Sequence, residues 1–165
     1  MTAPSSTSPV SLRLLGRCEF RRGEELVHLE TALAAALLAY LALAGAPQPW
    51  QKLLGLLWGH LPEEKARANL RHTLWHLRTR FPGEIPLIET TQQTVAFNRQ
   101  AGCRVDVAEF EACLENEGQM GNAQVSPQNR YALLGQALDL YEGDQLEGLY
   151  IDDSPGYGEW LIVER

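Results

Sequence analysis

The amino-terminal part of the chain alternates between apolar and polar residues in short runs. Residues 11–15 and 18–21 follow this pattern, 22–25 has the composition of a turn, and 26–29 forms a third run. Such runs are typical of strands in a small antiparallel sheet. Residues 1–9 are small, polar and proline-containing, which predicts a disordered lead.

Three helices are predicted to follow these strands. Residues 32–44 are rich in Ala and Leu, with Thr31 placed to cap the start of the helix and Gly45 to end it. A second apolar helix is predicted over residues 50–58. The third runs from residue 62 or 63 to 81 and carries acidic residues in its first turn, as the helix dipole favours.

A hairpin is predicted after the third helix. Residues 82–83 are Pro-Gly, which stops the helix, and the apolar runs 87–89 and 94–97 bracket the polar residues 90–93. Three strands, three helices and a hairpin in this order are typical of a winged helix.

The second half of the chain is predicted to be helical, over residues 105–117 and 126–141. The apolar positions of these two helices are Val107, Phe110, Cys113 and Leu114, then Leu133, Leu134, Ala137, Leu138 and Tyr141. A third helix begins near residue 157, and this order predicts a helical-repeat hairpin. Its apolar residues are expected to pack on Leu138 and Tyr141 or to form a subunit contact; they are Tyr157, Trp160, Leu161 and Val163.

These elements predict a winged-helix domain over residues 10–100 and a helical domain beginning at 105 and continuing to 165. The connection at 99–104 is too short to act as a free linker, so the two parts are expected to pack together.

Charge differs sharply between the two halves. Residues 1–105 hold 12 Lys and Arg against 8 Asp and Glu, a net charge of +4, whereas residues 106–165 hold 2 against 13, a net charge of −11. This asymmetry suggests two modules with different partners. The alternative is an ordinary solvated surface on which the charges happen to segregate.

Several classes of protein are disfavoured by the composition. The sequence contains no run long enough for a membrane span and no signal-peptide pattern, so a cytoplasmic protein with no membrane partner is expected. The three cysteines are too scattered for a disulfide framework or a zinc site. No nucleophile motif, phosphate loop or metal-spaced cluster emerges, so neither catalysis nor a cofactor is expected.

The third helix carries the clustered positive charge. A core stripe is predicted at Leu70, Leu74, Leu77 and Phe81, at a spacing of about 100° per residue. The residues expected to lie across the helix from the stripe and to face a groove are Lys65, Asn69, His72, His76 and Thr79. A flank is predicted at Arg67, Arg71, Trp75 and Arg78, with Arg80 on the other side.

Arg and Asn read guanine and adenine edges in the major groove, and further cations bind phosphates, so this helix is a candidate for DNA contact. Two alternatives remain open. Arg71 or Arg78 could pair with Glu63, Glu64 or the acidic half, on an ordinary solvated surface. His72 and His76 could ligate a metal, but no further ligand is adjacent in sequence, so no metal site is predicted.

Several motifs in this order resemble one bacterial family. They are LRLLG at 12–16, LLAYLAL at 37–43, LLW at 56–58, ARANLR at 66–71, VDVAEF at 105–110, LDLYEGD at 138–144, and residues 149–160 including YIDDSPGYGEW. Together they resemble SARP-type transcriptional activators, in which a winged-helix domain adjoins a bacterial transcriptional activator domain.

The resemblance implies an α+β fold, an OmpR-like winged helix-turn-helix followed by an α-helical tetratricopeptide-like hairpin. It implies a regulator that binds direct repeats in double-stranded promoter DNA and helps to recruit RNA polymerase. Independently of the resemblance, a helix pair followed by only the start of a third leaves an apolar face uncovered, so a homodimer or further domains joined through the helical array are the other partners expected. The hairpin tip, Thr91, Gln92 and Gln93, is expected to contact DNA as the wing.

Asn69, Arg71 and Arg78 keep the family's recognition-helix pattern, whereas other positions depart from it. Family members usually carry a basic pair within the segment 30–34, a small residue at Trp75 and a basic residue at His76. Fewer fixed cations predict weaker DNA binding. The competing interpretation is therefore a protein-interaction module that keeps this scaffold and binds DNA weakly or not at all.

Overall fold

A computed structural model describes residues 9–119 and 126–165 of the chain. All of the predicted disordered lead except Pro9 lies outside the described residues. The strands are β1 (Val10–Arg13), β2 (Glu19–Arg22), β3 (Glu25–Leu26), β4 (Gln48–Pro49), β5 (Ile88–Thr90), β6 (Thr94–Phe97) and β7 (Arg104–Val105). The helices are α1 (Ala32–Ala44), α2 (Trp50–Trp58), α3 (Glu63–Arg80), α4 (Asp106–Gln119), α5 (Pro127–Leu140) and α6 (Pro155–Glu164).

The first sheet has the strand order β3-β2-β1-β7. The predicted antiparallel pairing of the first three strands is confirmed, with Leu12 opposite Phe20 in the β1–β2 pair. β7 was not predicted; it pairs with β1 in parallel, with Leu12 opposite Val105. The chain thus returns from residue 104 to the sheet with which it began.

The second sheet is the predicted hairpin with one added strand. β5 and β6 pair antiparallel, with Ile88 opposite Phe97, and the two-residue strand β4 pairs with the other edge of β6. The predicted helix boundaries are confirmed at α1, where the Thr31 hydroxyl accepts a hydrogen bond from the Ala34 amide at 3.1 Å. Gly45, with a φ of +69°, ends that helix in the left-handed conformation that glycine favours.

The winged-helix part is held by one apolar core. The predicted stripe of α3 is confirmed, since its residues are at most 4% exposed and pack with α1 and α2; the largest buried side chains nearby are Leu37, Leu38, Leu41, Leu53, Leu57 and Trp58. Because α3 buries only this side, its opposite side is free to carry charge.

Asp106, the first residue of α4, joins the two halves of the chain. Its buried carboxylate accepts hydrogen bonds from the amides of Leu14 and Leu15, at 2.8 to 2.9 Å, and from the amide of Val107 at 2.8 Å. The carboxylate therefore ties the end of β1 to the start of α4. Charge-assisted hydrogen bonds of this kind are roughly twice as strong as neutral ones.

A second contact between the two halves joins two of the motifs identified in the sequence. Gly16 has a φ of +89°, and a Cβ at this position would lie 3.2 Å from the backbone of Glu142. The Gly16 amide donates to the Asp144 carbonyl at 3.0 Å, and the Leu146 amide donates to the Leu14 carbonyl at 2.7 Å. The LRLLG and LDLYEGD motifs thus form one close backbone contact.

The third helix of the acidic half packs elsewhere than on Leu138 and Tyr141, so the first of its two expected arrangements is wrong. A subunit contact, the second, stays a prediction. α6 lies against α2, where the Ser154 hydroxyl donates to the Leu57 carbonyl at 2.6 Å and Gly156 permits close approach to Gly55. Tyr157 and Leu161 are buried there, and the Trp160 ring lies 4.9 Å from the Tyr40 ring, whereas Val163 is exposed. The apolar pattern identified the buried side of α6 but not the helix against which it packs.

α4 and α5 form the predicted helical pair. Phe110 near the start of α4 and Tyr141 just after α5 have ring centroids 6.2 Å apart, which places the two helices antiparallel. The predicted apolar face of α5 is mostly not buried: Ala137 is buried, but Leu138 is 73% exposed. A tetratricopeptide-like repeat and the domain division near residues 100–105 stay predictions.

None of the helices in the described part of the chain is both long and apolar enough to cross a membrane.

Candidate nucleic-acid interface

The exposed face of α3 is centred differently from the sequence expectation. Thr73 and His76 are buried beside the leucine stripe, so the buried side is wider than predicted. Counting about 100° per residue, the centre of the opposite face falls on Ala68, Trp75 and Thr79, with His72 next to them. Trp75 is 62% exposed at this centre, whereas the sequence placed it on a flank.

Cations border this face on both sides. By the same helical spacing, Arg71 and Arg78 lie on one flank, and Lys65 and Arg80 lie on the other together with Asn69. All five side chains are exposed. The helix therefore presents a central strip between two positively charged edges.

The alternative that Arg71 or Arg78 pairs with Glu63, Glu64 or the acidic half is not realised in the part of the chain that the structure describes. Among the described residues, neither these arginines nor Lys65 and Arg80 form an ion pair. Arg67 differs, because its Nε lies 2.9 Å from Glu63 Oε1. The hydrogen bond from Arg67 lowers the pKa of Glu63. An arginine that is already paired is less available to an anionic partner than the four unpaired cations.

The wing lies beside the carboxyl-terminal part of α3. Arg78 donates a hydrogen bond to the Thr90 hydroxyl at the end of β5. At the tip, the Thr91 hydroxyl accepts from the amides of Gln93 at 3.2 Å and Thr94 at 2.9 Å, which orders the turn. The side chains of the three tip residues are exposed, so the predicted wing contacts are accessible; these residues are Thr91, Gln92 and Gln93.

The start of α2 is joined to the same region. The Trp50 amide donates to the Gln93 carbonyl at 2.9 Å, and the Arg71 guanidinium lies 5.9 Å from the centroid of the Trp50 ring. Cation–π contacts at this distance stabilise the orientation of an arginine without neutralising its charge.

The expected groove-facing orientation of His76 is wrong. Its ring is only 5% exposed, because the segment before α1 crosses this part of α3. The Glu30 amide donates to His76 Nε2 at 3.3 Å, and Nδ1 lies 3.7 Å from the Glu30 carboxylate. Nε2 thus serves as the acceptor for a backbone amide of the covering segment, so the ring has a structural role rather than a groove-facing one.

His76→Arg is therefore expected to lower the free energy of unfolding by about 2–4 kcal/mol, because a charged group enters a buried site. His72→Arg, one turn away and exposed, is the matched control and should change stability by less than about 0.5 kcal/mol. Thermal or urea unfolding measures both. A His76→Arg protein that is as stable as the His72→Arg control and binds DNA more tightly than the wild type would instead support a groove-facing His76.

Reactive or metal-binding groups are not gathered at this face. Among the described residues, no group of three or more His, Cys, Asp and Glu side chains is placed to hold a metal ion. Burial raises the pKa of the Cys18 and Cys103 thiols to about 12, so both stay protonated at neutral pH.

Comparison with known proteins identifies a similar fold. No protein-family model and no curated protein sequence matches the chain. The solved structure of Mycobacterium tuberculosis EmbR, in complex with a low-affinity phosphopeptide, is similar with a TM-score of 0.70 at 20% sequence identity. The similarity covers 95% of this chain but only 41% of the EmbR chain. The chain therefore shares the fold of that part of EmbR.

Proposed function

We propose that the protein is a transcriptional regulator that binds double-stranded DNA with α3 in the major groove. The observation that carries the proposal is the exposed face of α3, which has unpaired cations on both flanks and the wing fixed beside it. An α-helix with its side chains is about 10–12 Å wide, and the major groove is about 12 Å wide. Cations on both flanks of such a helix are placed to reach the phosphates of both strands.

The fold and the charge distribution support the same function. The fold shared with EmbR agrees with the sequence resemblance to SARP-type activators, which implies binding to promoter repeats and recruitment of RNA polymerase. The net charge of −11 over residues 106–165 repels DNA, so that half is assigned to protein partners such as the polymerase.

Selection from a pool of random 20-base-pair duplexes, followed by mobility-shift competition, tests this function. We expect the wild-type protein to prefer selected duplexes over random ones. Asn69→Ala should reduce that preference, because Asn reads adenine edges, with a discrimination of about 1–3 kcal/mol for a good bidentate contact. Arg71→Ala should weaken binding to both duplexes alike, because phosphate contacts carry no sequence information. An Arg71→Ala protein that binds like the wild type would argue against a groove-facing α3.

A second candidate function is a protein-interaction module without effective DNA binding. The exposed apolar side chains of the α4–α5 pair favour it, since clustered exposed apolar residues mark interaction surfaces; they are Leu114, Tyr131, Leu134, Leu138 and Tyr141. Under this function the selection would enrich no sequence, and retention of duplexes would be weak and independent of sequence.

A further inference from the structure

The centre of the exposed α3 face is apolar, although its edges are charged. Trp75 is 62% exposed there. On the same line along the helix, Ala68 lies two turns before Trp75 and Thr79 lies one turn after it. The Thr79 hydroxyl donates its proton to the Trp75 carbonyl at 2.9 Å, so its hydrogen is used within the helix. The Ala68–Trp75–Thr79 strip spans about 16 Å along the helix axis.

The orientation of the indole is supported by a neighbouring ring. The centroids of His72 and Trp75 lie 6.0 Å apart, with their planes tilted by 41°. Such a contact limits the rotamers of an exposed side chain, so less entropy is lost when that side chain is buried by a ligand.

An exposed tryptophan has few ways to read a base pair. It carries one hydrogen-bond donor and no acceptor, so it cannot form the bidentate pairs by which Arg recognises guanine or Asn recognises adenine. Its large apolar surface instead matches the one apolar group that bases present in the major groove, which is the C5-methyl group of thymine.

On the basis of the proposed function, we propose that Trp75 is the specificity-determining residue by which α3 recognises thymine methyl groups, with Ala68 and Thr79 extending the contact. Asn69 would read an adenine beside the thymine, and the flanking cations would position the helix over a site that contains thymine at its centre. Guanine-rich sites are disfavoured, because the centre of the face offers no cation to the guanine acceptors.

Replacement of thymine by deoxyuridine tests the proposal, since it removes only the methyl group. The probe is the highest-affinity duplex from the random-pool selection, synthesised with deoxyuridine at one thymine at a time. We expect at least one central replacement to weaken wild-type binding about fourfold, the value for one methyl group removed from an apolar contact. For Trp75→Ala the same replacement should change binding less than 1.5-fold, although Trp75→Ala binds the thymine duplex more weakly than the wild type.

Tyr131→Ala, which truncates an exposed aromatic residue on α5, is the matched control and should keep the fourfold effect. Equal wild-type affinity for the thymine duplex and every deoxyuridine duplex would overturn the role of Trp75 and leave the proposed function standing. If deoxyuridine weakens the binding of Trp75→Ala as much as that of the wild type, the role of Trp75 is likewise overturned and the proposed function stands. Failure of the selection to enrich any sequence would overturn the proposed function, and this inference with it.

Discussion

Asp106→Ala is expected to lower the free energy of unfolding by about 3–5 kcal/mol. The substitution leaves the amides of Leu14 and Leu15 without their acceptor in a buried position, at a cost of about 1–3 kcal/mol for each donor, and also removes the acceptor of the Val107 amide. For a chain of this size the melting temperature should fall by about 10 °C. Circular dichroism during thermal or urea unfolding measures the change.

Two controls separate the effect of losing the hydrogen bonds to Asp106 from a general effect of losing a negative charge. Asp106→Asn keeps one carbonyl oxygen and should cost less than the alanine variant. Asp139→Ala removes an exposed carboxylate from α5 and should change stability by less than about 0.5 kcal/mol. If Asp106→Ala unfolds at the wild-type midpoint, the carboxylate does not hold the two halves together.

The double substitution Arg71→Glu and Arg80→Glu is expected to weaken binding to the selected duplex on the order of 100-fold. It removes one phosphate-binding cation from each flank of α3 and puts a carboxylate in its place, so attraction is replaced by repulsion on both strands. Both side chains are exposed, so the fold should persist. Mobility shift or fluorescence anisotropy measures the affinity.

Arg17→Glu combined with Arg99→Glu is the matched control. Both arginines are exposed, lie outside α3, and give the same change in net charge. We expect this control to lose less than about fivefold, through long-range repulsion alone. Equal losses in the two double variants would mean that total charge, rather than the α3 face, governs retention.

The fold was largely predictable where local signals coincide. Thr31 and Gly45 bound α1 through their capping geometry, and the leucine stripe fixes the buried side of α3 through its period. The wing follows from two apolar runs around the polar tip at 90–93. In each case the information lies within a few residues of the element that it specifies.

Features that depend on distant contacts were not predictable in this way. β7 has two residues and exists because it pairs with β1 across about 90 residues of sequence. His76 is buried because Glu30 crosses α3, and this burial moves the exposed face so that Trp75 lies at its centre. Helical periodicity gives the positions of the α3 side chains relative to one another. It does not show which of them the segment before α1 covers.

The salt dependence of binding to the selected duplex tests the central claim most directly. If the α3 face binds phosphates, the logarithm of the wild-type association constant should fall linearly with the logarithm of salt concentration, with a slope of about −0.9 for each phosphate contacted. The Arg71→Glu and Arg80→Glu variant should show a slope smaller in magnitude by about two units. An identical slope for the wild type and this variant would contradict the assignment of α3 to the DNA interface.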